Sequence, residues 1–225
     1  EPELAYQINT VAPGVLAQKA KELDIPLVHF STDYVFDGFK KEPYLETDPT
    51  NPQSIYGKTK CEGEEKVRRH PKHIILRTSW VFGSHGNNFL KTILRLIMEK
   101  ESLKIVGDQW GSPASSSMLA DVTFKIVDRI FMDKNFDHYG TYHVTNEGDT
   151  NWHQYASLIA SEAMQLGIKV KCEPDHIHPI FTSDYPTAAK RPLNSRLNTD
   201  KLKKTFMLEL PHWKSEVKEV LREII

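Results

Sequence analysis

Cysteine is scarce in this 225-residue sequence, which contains only Cys61 and Cys172. The two residues lie far apart and show neither C-x-x-C nor Cys/His ligand spacing, so the sequence predicts neither a disulfide framework nor a structural zinc site. No apolar run approaches the roughly 18 residues needed to span a bilayer, and the start lacks the basic-then-apolar pattern of a signal peptide. We therefore expect a cytoplasmic protein that does not enter the membrane.

An excess of charge of one sign is also missing. The 29 basic and 30 acidic residues leave a formal net charge of −1, so no overall field favours binding to nucleic acid or to an anionic membrane. With 39% hydrophobic and 26% charged residues, the composition is that of an ordinary globular protein. Any charged ligand must therefore be held by local groups.

Helical and strand patterns alternate along the chain. Apolar residues recur at helical spacing over residues 3–23, and the apolar run at 27–30 then predicts a strand buried on both faces. Later segments repeat this order, with helices expected at 55–69, 87–100, 117–132, 152–166 and from 211 onward, strands at 73–83 and 140–145, a short strand with a broken loop at 102–115, and irregular segments at 38–54 and 176–197. This alternation indicates an α/β fold with a mostly parallel sheet.

The segment SIYGKTK places Tyr56 and Lys60 four residues apart, on one face of a helix. An ammonium group beside a phenol stabilises the phenolate and brings the phenolic proton into a useful range. The spacing alone is weak evidence, because a chain of this composition can contain such a pair by chance. The pair stands, however, between two strands that end in the polar runs Ser31-Thr32 and Thr78-Ser79-Trp80. Such strand ends converge at the carboxyl edge of a parallel sheet, where ligands bind.

Five ordered motifs, STDYVFDG, YGKTK, RTSWVFG, GNNF and RPLNSRLN, resemble the dTDP-4-dehydrorhamnose reductase family of the extended short-chain dehydrogenases. The resemblance runs essentially from residue 1 to residue 225. It implies a Rossmann-like doubly wound parallel sheet with a smaller C-terminal α/β substrate lobe. We expect residues 1–103 to form the remainder of the dinucleotide-binding domain and residues 104–225 to form mainly the substrate lobe, with some elements returning to the first domain.

The family likeness implies a mechanism in which NADPH or NADH reduces the 4-keto group of a dTDP-linked 4-keto-6-deoxysugar to give dTDP-L-rhamnose. Tyr56 would protonate the nascent alkoxide, Lys60 would lower the pKa of Tyr56 and hold the nicotinamide ribose, and Thr32 would bind the reacting oxygen or tune Tyr56. The same likeness assigns these residues to the cofactor site: Ser31, Tyr56, Lys60, Thr78 and Ser79.

For substrate binding, the likeness implies a further set, which comprises Thr32, Asp33, Tyr34, Trp80, Asn88, Arg191 and Asn194, with Arg196 nearby. Arginine suits a diphosphate because its planar fork matches the phosphate oxygens. Each assignment has a simpler structural alternative: Trp80 as a core residue, Asn88 as a helix cap, and the arginines as part of a solvated loop.

His176 and His178 lack a third ligand, so we expect no zinc. The resemblance also implies a possible Mg²⁺ requirement, but no acidic residues in the sequence indicate a site for this ion. A homodimer is a further expectation.

The sequence contains no glycine-rich phosphate-binding turn. None of its 11 glycines lies in G-x-G-x-x-G, and the nearest approach, Gly83 and Gly86 in GSHG, lacks a third glycine. By comparison with the family, about the first quarter of the protein is absent, including the first Rossmann strands. We therefore expect these 225 residues alone to show little turnover.

Two alternatives remain at the level of motifs. The regulatory β subunit of methionine adenosyltransferase, which acts through a partner, resembles this family and retains S-D-Y-V-F-D-G, where this chain has S-T-D-Y-V-F-D-G, and Y-G-K-T-K. The motifs RTSWVFG, GNNF and NSRLN resemble the bacterial reductase more closely. A sugar-nucleotide 4-epimerase belongs to the same superfamily and keeps its cofactor bound. Oxidation of added NADPH by a 4-keto sugar nucleotide would separate these three functions.

Overall fold

A computed structural model describes residues 1–185 and 191–224 of the chain. Its α-helices, in chain order, are α1 (Pro2–Tyr6), α2 (Ala12–Glu22), α3 (Ile55–Val67), α4 (Phe89–Glu99), α5 (Ser116–Met132), α6 (Trp152–Gln165), α7 (Asp200–Phe206) and α8 (Trp213–Ile224). Its strands are β1 (Leu27–Thr32), β2 (His73–Thr78), β3 (Val81–Phe82), β4 (Leu103–Val106), β5 (Trp110–Gly111), β6 (Ala114–Ser115), β7 (Gly140–His143), β8 (Thr150–Asn151), β9 (Ile177–Ile180) and β10 (Asn194–Ser195). These elements form the expected α/β fold.

The chain divides into two compact units, each built from three separate segments. Unit 1 contains Glu1–Ser79, Asp121–Val144 and Ala189–Glu209, and unit 2 contains Trp80–Ala120, Thr145–Ala188 and Leu210–Ile225. The first change of unit comes at Trp80 rather than at the boundary near residue 103 that the sequence indicates. Which unit holds the cofactor and which the sugar stays a prediction.

Unit 1 is organised around a parallel sheet in the order β1-β2-β7. Helices α2 and α3 pack against β1, and a small core joins Ala17 of α2, Val67 of α3 and Ile75 of β2. The register pairs Thr32 with Thr78, so the carboxyl ends of β1 and β2 lie side by side. This alignment places both polar strand ends at one edge of the sheet.

The two main strands of unit 1 differ in burial. Ile74, Ile75 and Leu76 of β2 are fully buried, whereas Phe30 of β1 is 41% exposed. The expectation that β1 is buried on both faces is therefore wrong. Among the described residues β1 has a neighbouring strand on one side only, and side chains of an edge strand are less completely covered.

Close backbone approach shapes the helical layer of unit 1. The helix from α1 to α2 contains a π-helical turn, Gln7–Val11, where Thr10 Oγ1 donates to the Thr59 carbonyl oxygen of α3 at 2.7 Å. At Gly63 of α3 a Cβ atom would lie 2.0 Å from the Asn9 carbonyl oxygen. Only glycine permits this contact, because any side chain would push the two helices apart.

Unit 2 has a large apolar core supplied mainly by α4, α6 and α8. Ile93 and Ile97 of α4 are buried in this core, with Phe89 and Leu96 packed against it, as the amphipathic pattern of this helix predicts. Strands β3 and β6 pair in parallel, as do β4 and β9, and β5 pairs antiparallel with β8.

Three sequence-based boundaries need correction. The run at 73–83 is not one strand: β2 ends at Thr78, Trp80 adopts a positive φ of 48°, and β3 begins at Val81. The expected loop at 176–197 contains β9, whose pairing with β4 is a long-range contact that local pattern does not show. Helix α7 was not anticipated, because its seven residues give too short a periodic pattern.

Candidate active site

The first turn of α3 is the structural base of the candidate site. Ser54 caps the helix, since its side-chain oxygen accepts a hydrogen bond from the Gly57 backbone N–H at 3.1 Å. At Gly57 a Cβ atom would lie 2.2 Å from the Tyr34 carbonyl oxygen. The glycine of Y-G-K-T-K thus lets the helix start lie directly against the turn that follows β1. Tyr56 and Lys60 stand one helical turn apart on this helix, as the spacing predicts.

Tyr56 remains partly accessible, with 47% of its surface exposed. Burial raises the pKa of its hydroxyl above the ordinary value of 10.0, a hydrogen bond with Thr32 lowers it, and the charge of Asp33 raises it again. The net direction is upward. At neutral pH Tyr56 therefore carries its proton, which is the state required of a proton donor.

Lys60 does not act on Tyr56 in the way that the sequence indicates. Its Nζ donates to the Phe30 carbonyl oxygen of β1 at 2.6 Å, and it is not among the groups that shift the pKa of Tyr56. The expectation of a lowered Tyr56 pKa is therefore wrong for this structure, because burial outweighs the favourable contacts. Burial lowers the pKa of Lys60 and the charge of Glu64 raises it. An ammonium group has three N–H donors, so this hydrogen bond leaves two for a ligand.

Thr32 connects the strand end to the tyrosine. Its Oγ1 accepts a hydrogen bond from the Tyr34 backbone N–H at 3.2 Å and donates to Asp33 Oδ1 at 3.0 Å. Thr32 also acts on Tyr56, whose pKa it lowers. The role expected for Thr32 in the reaction stays a prediction.

Asp33 is a buried carboxyl group, only 4% exposed. Burial raises its pKa to about 6, and hydrogen bonds from Ser195, from Thr32 and from the backbone oppose this rise. At neutral pH the group is mostly ionised and adds a negative charge close to Tyr56. Ser195 was not identified from the sequence, because its contact with Asp33 joins positions more than 160 residues apart.

Tyr34 and Arg191 also belong to this region of unit 1. The rings of Tyr34 and Tyr56 meet edge to face, with centroids 5.6 Å apart. Burial and the charge of Asp33 raise the pKa of Tyr34, while the positive charge of Arg191 lowers it. Arg191 thus lies within electrostatic range of Tyr34, although 157 positions separate the two residues in the sequence.

The predicted cofactor residues lie at the neighbouring strand ends. Ser31 and Thr78 are buried, as is Ser79, which follows β2 directly. Thr78 Oγ1 has no hydrogen-bond partner among the described residues. A buried hydroxyl without a partner is an available site for a ligand hydrogen bond. Together with the free donors of Lys60, it fits the nicotinamide end of a dinucleotide, whereas the sequence supplies no glycine-rich turn for the pyrophosphate.

Three other predicted substrate residues are held by contacts within the protein. Trp80 stacks on Trp152, with centroids 3.5 Å apart and planes 13° apart. Asn88 caps α4: its Oδ1 accepts from the Lys91 backbone N–H at 3.1 Å, and its Nδ2 donates to the Gly83 carbonyl oxygen at 2.7 Å. These contacts within unit 2 correspond to the plainer readings of both residues.

Asn194 holds a loop of unit 1. Its Nδ2 donates to the carbonyl oxygens of Lys40 and Glu42 at 2.8 and 2.9 Å, and its Oδ1 accepts from the Arg196 backbone N–H at 3.1 Å. The side chain is buried and its polar atoms are engaged. Asn194 therefore supports the segment around residues 40–42 instead of offering a free amide.

A buried ion pair behind the site was not found from the sequence. Glu64 of α3 accepts two hydrogen bonds from Arg77 of β2, and both side chains are almost completely buried. A signal was present, since Arg77 interrupts the apolar run HIIL-R-T and a charge in a buried strand requires a partner.

Two features are absent from the described residues. Across residues 1–185 and 191–224, no group of three or more His, Cys, Asp or Glu side chains is arranged to hold a metal ion. Within the same ranges, no helix combines the length and the apolar character that crossing a bilayer requires.

Comparison with known proteins identifies the family. Residues 1–225 match the family model described as the RmlD substrate binding domain. The dTDP-4-dehydrorhamnose reductase of Salmonella typhimurium is 44% identical over 225 residues, covering all of this chain and 74% of the relative.

Two solved structures agree. A dTDP-4-dehydrorhamnose reductase from Clostridium acetobutylicum has a TM-score of 0.89 and 39% identity, and one from Bacillus anthracis in complex with NADP has a TM-score of 0.87 and 35% identity. Each match covers 99% of this chain and 74% of the solved chain, so the chain spans about three-quarters of their length. The chain therefore belongs to the RmlD family, the family of the dTDP-4-dehydrorhamnose reductases.

Proposed function

We propose that this chain supplies the proton-donating part of an NAD(P)H-dependent reductase that converts dTDP-4-dehydro-L-rhamnose to dTDP-L-rhamnose, in nucleotide-sugar biosynthesis for cell-surface polysaccharide. The observation that carries the proposal is the placement of Tyr56 and Lys60, one helical turn apart at the start of α3, directly against the turn that follows β1. The names of the relatives supply the substrate and the direction of the reaction.

Held by Lys60 and the hydroxyls at the strand ends, a reduced nicotinamide would supply the hydride for C4 of the sugar. Tyr56 holds its proton at neutral pH because burial raises its pKa, and it delivers this proton to the oxygen of the reduced carbonyl. As the proton leaves, the Thr32 hydroxyl turns its own proton from Asp33 towards Tyr56 and stabilises the phenolate.

We assign the remaining residues to binding. Lys60, Thr78, Ser31 and Ser79 hold the nicotinamide end of the cofactor through the donors and hydroxyls at the strand ends. Arg191 contacts the diphosphate, because its charge acts on Tyr34 and is suited to phosphate oxygens.

The aromatic and amide residues fall into two groups. Tyr34 and Asp33 border the reacting sugar. Trp80, Asn88 and Asn194 act indirectly, by holding the backbone around them, since stacking or hydrogen bonds already engage their side chains.

A direct assay tests the proposal. The chain, expressed together with any residues that precede it in its gene, is mixed with NADPH and dTDP-4-dehydro-L-rhamnose, and the loss of NADPH absorbance and the sugar product are followed. A reductase oxidises NADPH and forms dTDP-L-rhamnose in equal amounts. A 4-epimerase would change the sugar without net oxidation of NADPH, and a regulatory subunit would show no turnover; either result contradicts the proposal.

Four further points call for separate measurements. They are the choice between NADPH and NADH, a Mg²⁺ requirement, a homodimer and a cytoplasmic location. The same assay with NADH, and with a chelator added, measures the first two. Sedimentation measures the third, and fractionation of the source cells measures the fourth.

A further inference from the structure

The buried carboxyl group of Glu64 has no part in the function described so far. Glu64 lies one helical turn beyond Lys60 on α3, so Tyr56, Lys60 and Glu64 form a row at i, i+4 and i+8. The side chain is 0% exposed. Its Oε1 accepts from Arg77 Nε at 2.9 Å, and its Oε2 accepts from Arg77 Nη2 at 2.7 Å and from Arg68 Nη2 at 2.6 Å.

Stability alone is a weak reason for this arrangement. Removing two charges from water costs free energy that their mutual attraction often fails to recover, so apolar replacements of buried ion pairs are frequently neutral or stabilising. A bidentate pair does, however, fix geometry, because two parallel hydrogen bonds allow one relative orientation. Here the pair fastens α3 to β2 immediately before Thr78, and so holds the row of Tyr56 and Lys60 at the strand ends.

Positive groups surround the Glu64 carboxylate. Arg77 on β2 and Arg68, which directly follows α3, both pair with Glu64, and His29 on β1 lies within electrostatic range of Lys60 and Glu64. The segment Gln7–Val11, which packs on α3, carries no titratable side chain.

The turn after β1 adds one further acid. Asp33 is buried there, and its charge acts on Tyr56 and Tyr34. Glu64 is therefore the carboxylate whose charge acts on Lys60 itself.

We propose that Glu64 is a positioning residue for Tyr56 and Lys60. Its carboxylate, held by hydrogen bonds from Arg77 and Arg68, fixes α3 against β2 and keeps Lys60 in its ammonium form. The pKa directions agree, since burial lowers the pKa of Lys60 and Glu64 raises it. The role in turnover rests on the proposed reductase function. The effect on Lys60 itself does not.

The test measures Lys60 directly. Lysines are reductively methylated with a ¹³C label, the Lys60 signal is assigned by its loss in Lys60→Arg, and its titration midpoint is read by NMR. Glu64→Gln, which keeps the shape and removes the charge, should lower the midpoint by about one pH unit. Glu64→Asp, which keeps the charge, should have a Lys60 midpoint close to that of the unmodified protein. Glu62→Gln removes an exposed carboxylate from the same helix and should change nothing.

An unchanged midpoint in folded Glu64→Gln overturns the inference. If that variant does not fold, Arg68→Gln decides, because removing this half-exposed cation should raise the midpoint, and no rise overturns the inference. In the reductase assay, the basic limb of the kcat profile of Glu64→Gln should move to lower pH with little change in KM. A uniform loss of kcat at all pH values would show a merely structural role. Absence of activity in the unmodified protein, expressed together with any residues that precede it in its gene, would count against the proposed function and leave the NMR result standing.

Discussion

The two units differ in what surrounds the residues of the family motifs. In unit 1, Thr32, Asp33 and Arg77 are buried polar or charged groups. In unit 2, Trp80, which follows the end of β2, lies in an aromatic cluster with Trp152 and Phe89. Family motifs of similar appearance can therefore have different local settings: those of unit 1 gather polar groups near Tyr56, the proposed proton donor, whereas Trp80 of unit 2 packs against aromatic rings.

The largest expected effect is on kcat, and it distinguishes Tyr56 from a tyrosine outside the site. Tyr56→Phe removes the proton donor, so kcat should fall by about 10²–10⁴-fold with little change in KM. Tyr6→Phe, which removes a hydroxyl elsewhere in unit 1, should retain full activity. NADPH oxidation measures both, and near-normal turnover by Tyr56→Phe would refute the assignment.

A substitution in the aromatic cluster of unit 2 should instead lower the stability of the protein. Trp80→Ala removes the ring that stacks on Trp152, and the free energy of unfolding should fall by about 3 kcal/mol. Trp110→Ala, at a more exposed tryptophan of the same unit, should cost clearly less. Denaturant unfolding measures the difference. A large rise in KM of Trp80→Ala with unchanged stability would instead support a sugar-binding role for this ring.

The buried histidine of unit 1 should make stability depend on pH. Burial lowers the pKa of His143 from 6.5 to about 3. A depressed folded-state pKa means that the unfolded chain binds the proton first, so stability is lost as pH falls from 6.5 towards 3.

This loss should amount to about 1.4 kcal/mol per pH unit within that window. His143→Asn should reduce the slope of unfolding free energy against pH, and His138→Asn, at an exposed histidine of unit 1, should leave it unchanged. Equal slopes in all three proteins would contradict the burial of a neutral His143.

The smallest effect concerns Asn88. Asn88→Ala removes the cap of α4 and should lower the free energy of unfolding by about 1 kcal/mol with KM unchanged. Its exposed neighbour offers a matched control, since Asn87→Ala removes the same amide without a capping hydrogen bond. Thermal unfolding and KM together distinguish the cap from a substrate contact. A raised KM in Asn88→Ala alone would favour the contact.

Much of the fold follows from local pattern. The apolar periodicity of α4 and the alternation of strands and helices are properties of neighbouring residues, and both were predictable. Strand β9 was not, because its place depends on pairing with β4 about 70 residues earlier. The break at Trp80 was hidden for a similar reason: RTSWVFG is apolar enough to continue a strand, whereas Trp80 adopts a positive φ and stacks on Trp152, which is distant in sequence.

The sequence by itself determined the family, the α/β order and the spacing of Tyr56 and Lys60, since these depend on residue identity and on distance along the chain. Tertiary structure decided which polar groups are available and how they ionise. The raised pKa of Tyr56 and the engaged side chain of Asn194 both arise from burial and from partners distant in sequence. Desolvation and hydrogen bonding act through space, so no local pattern can reveal them.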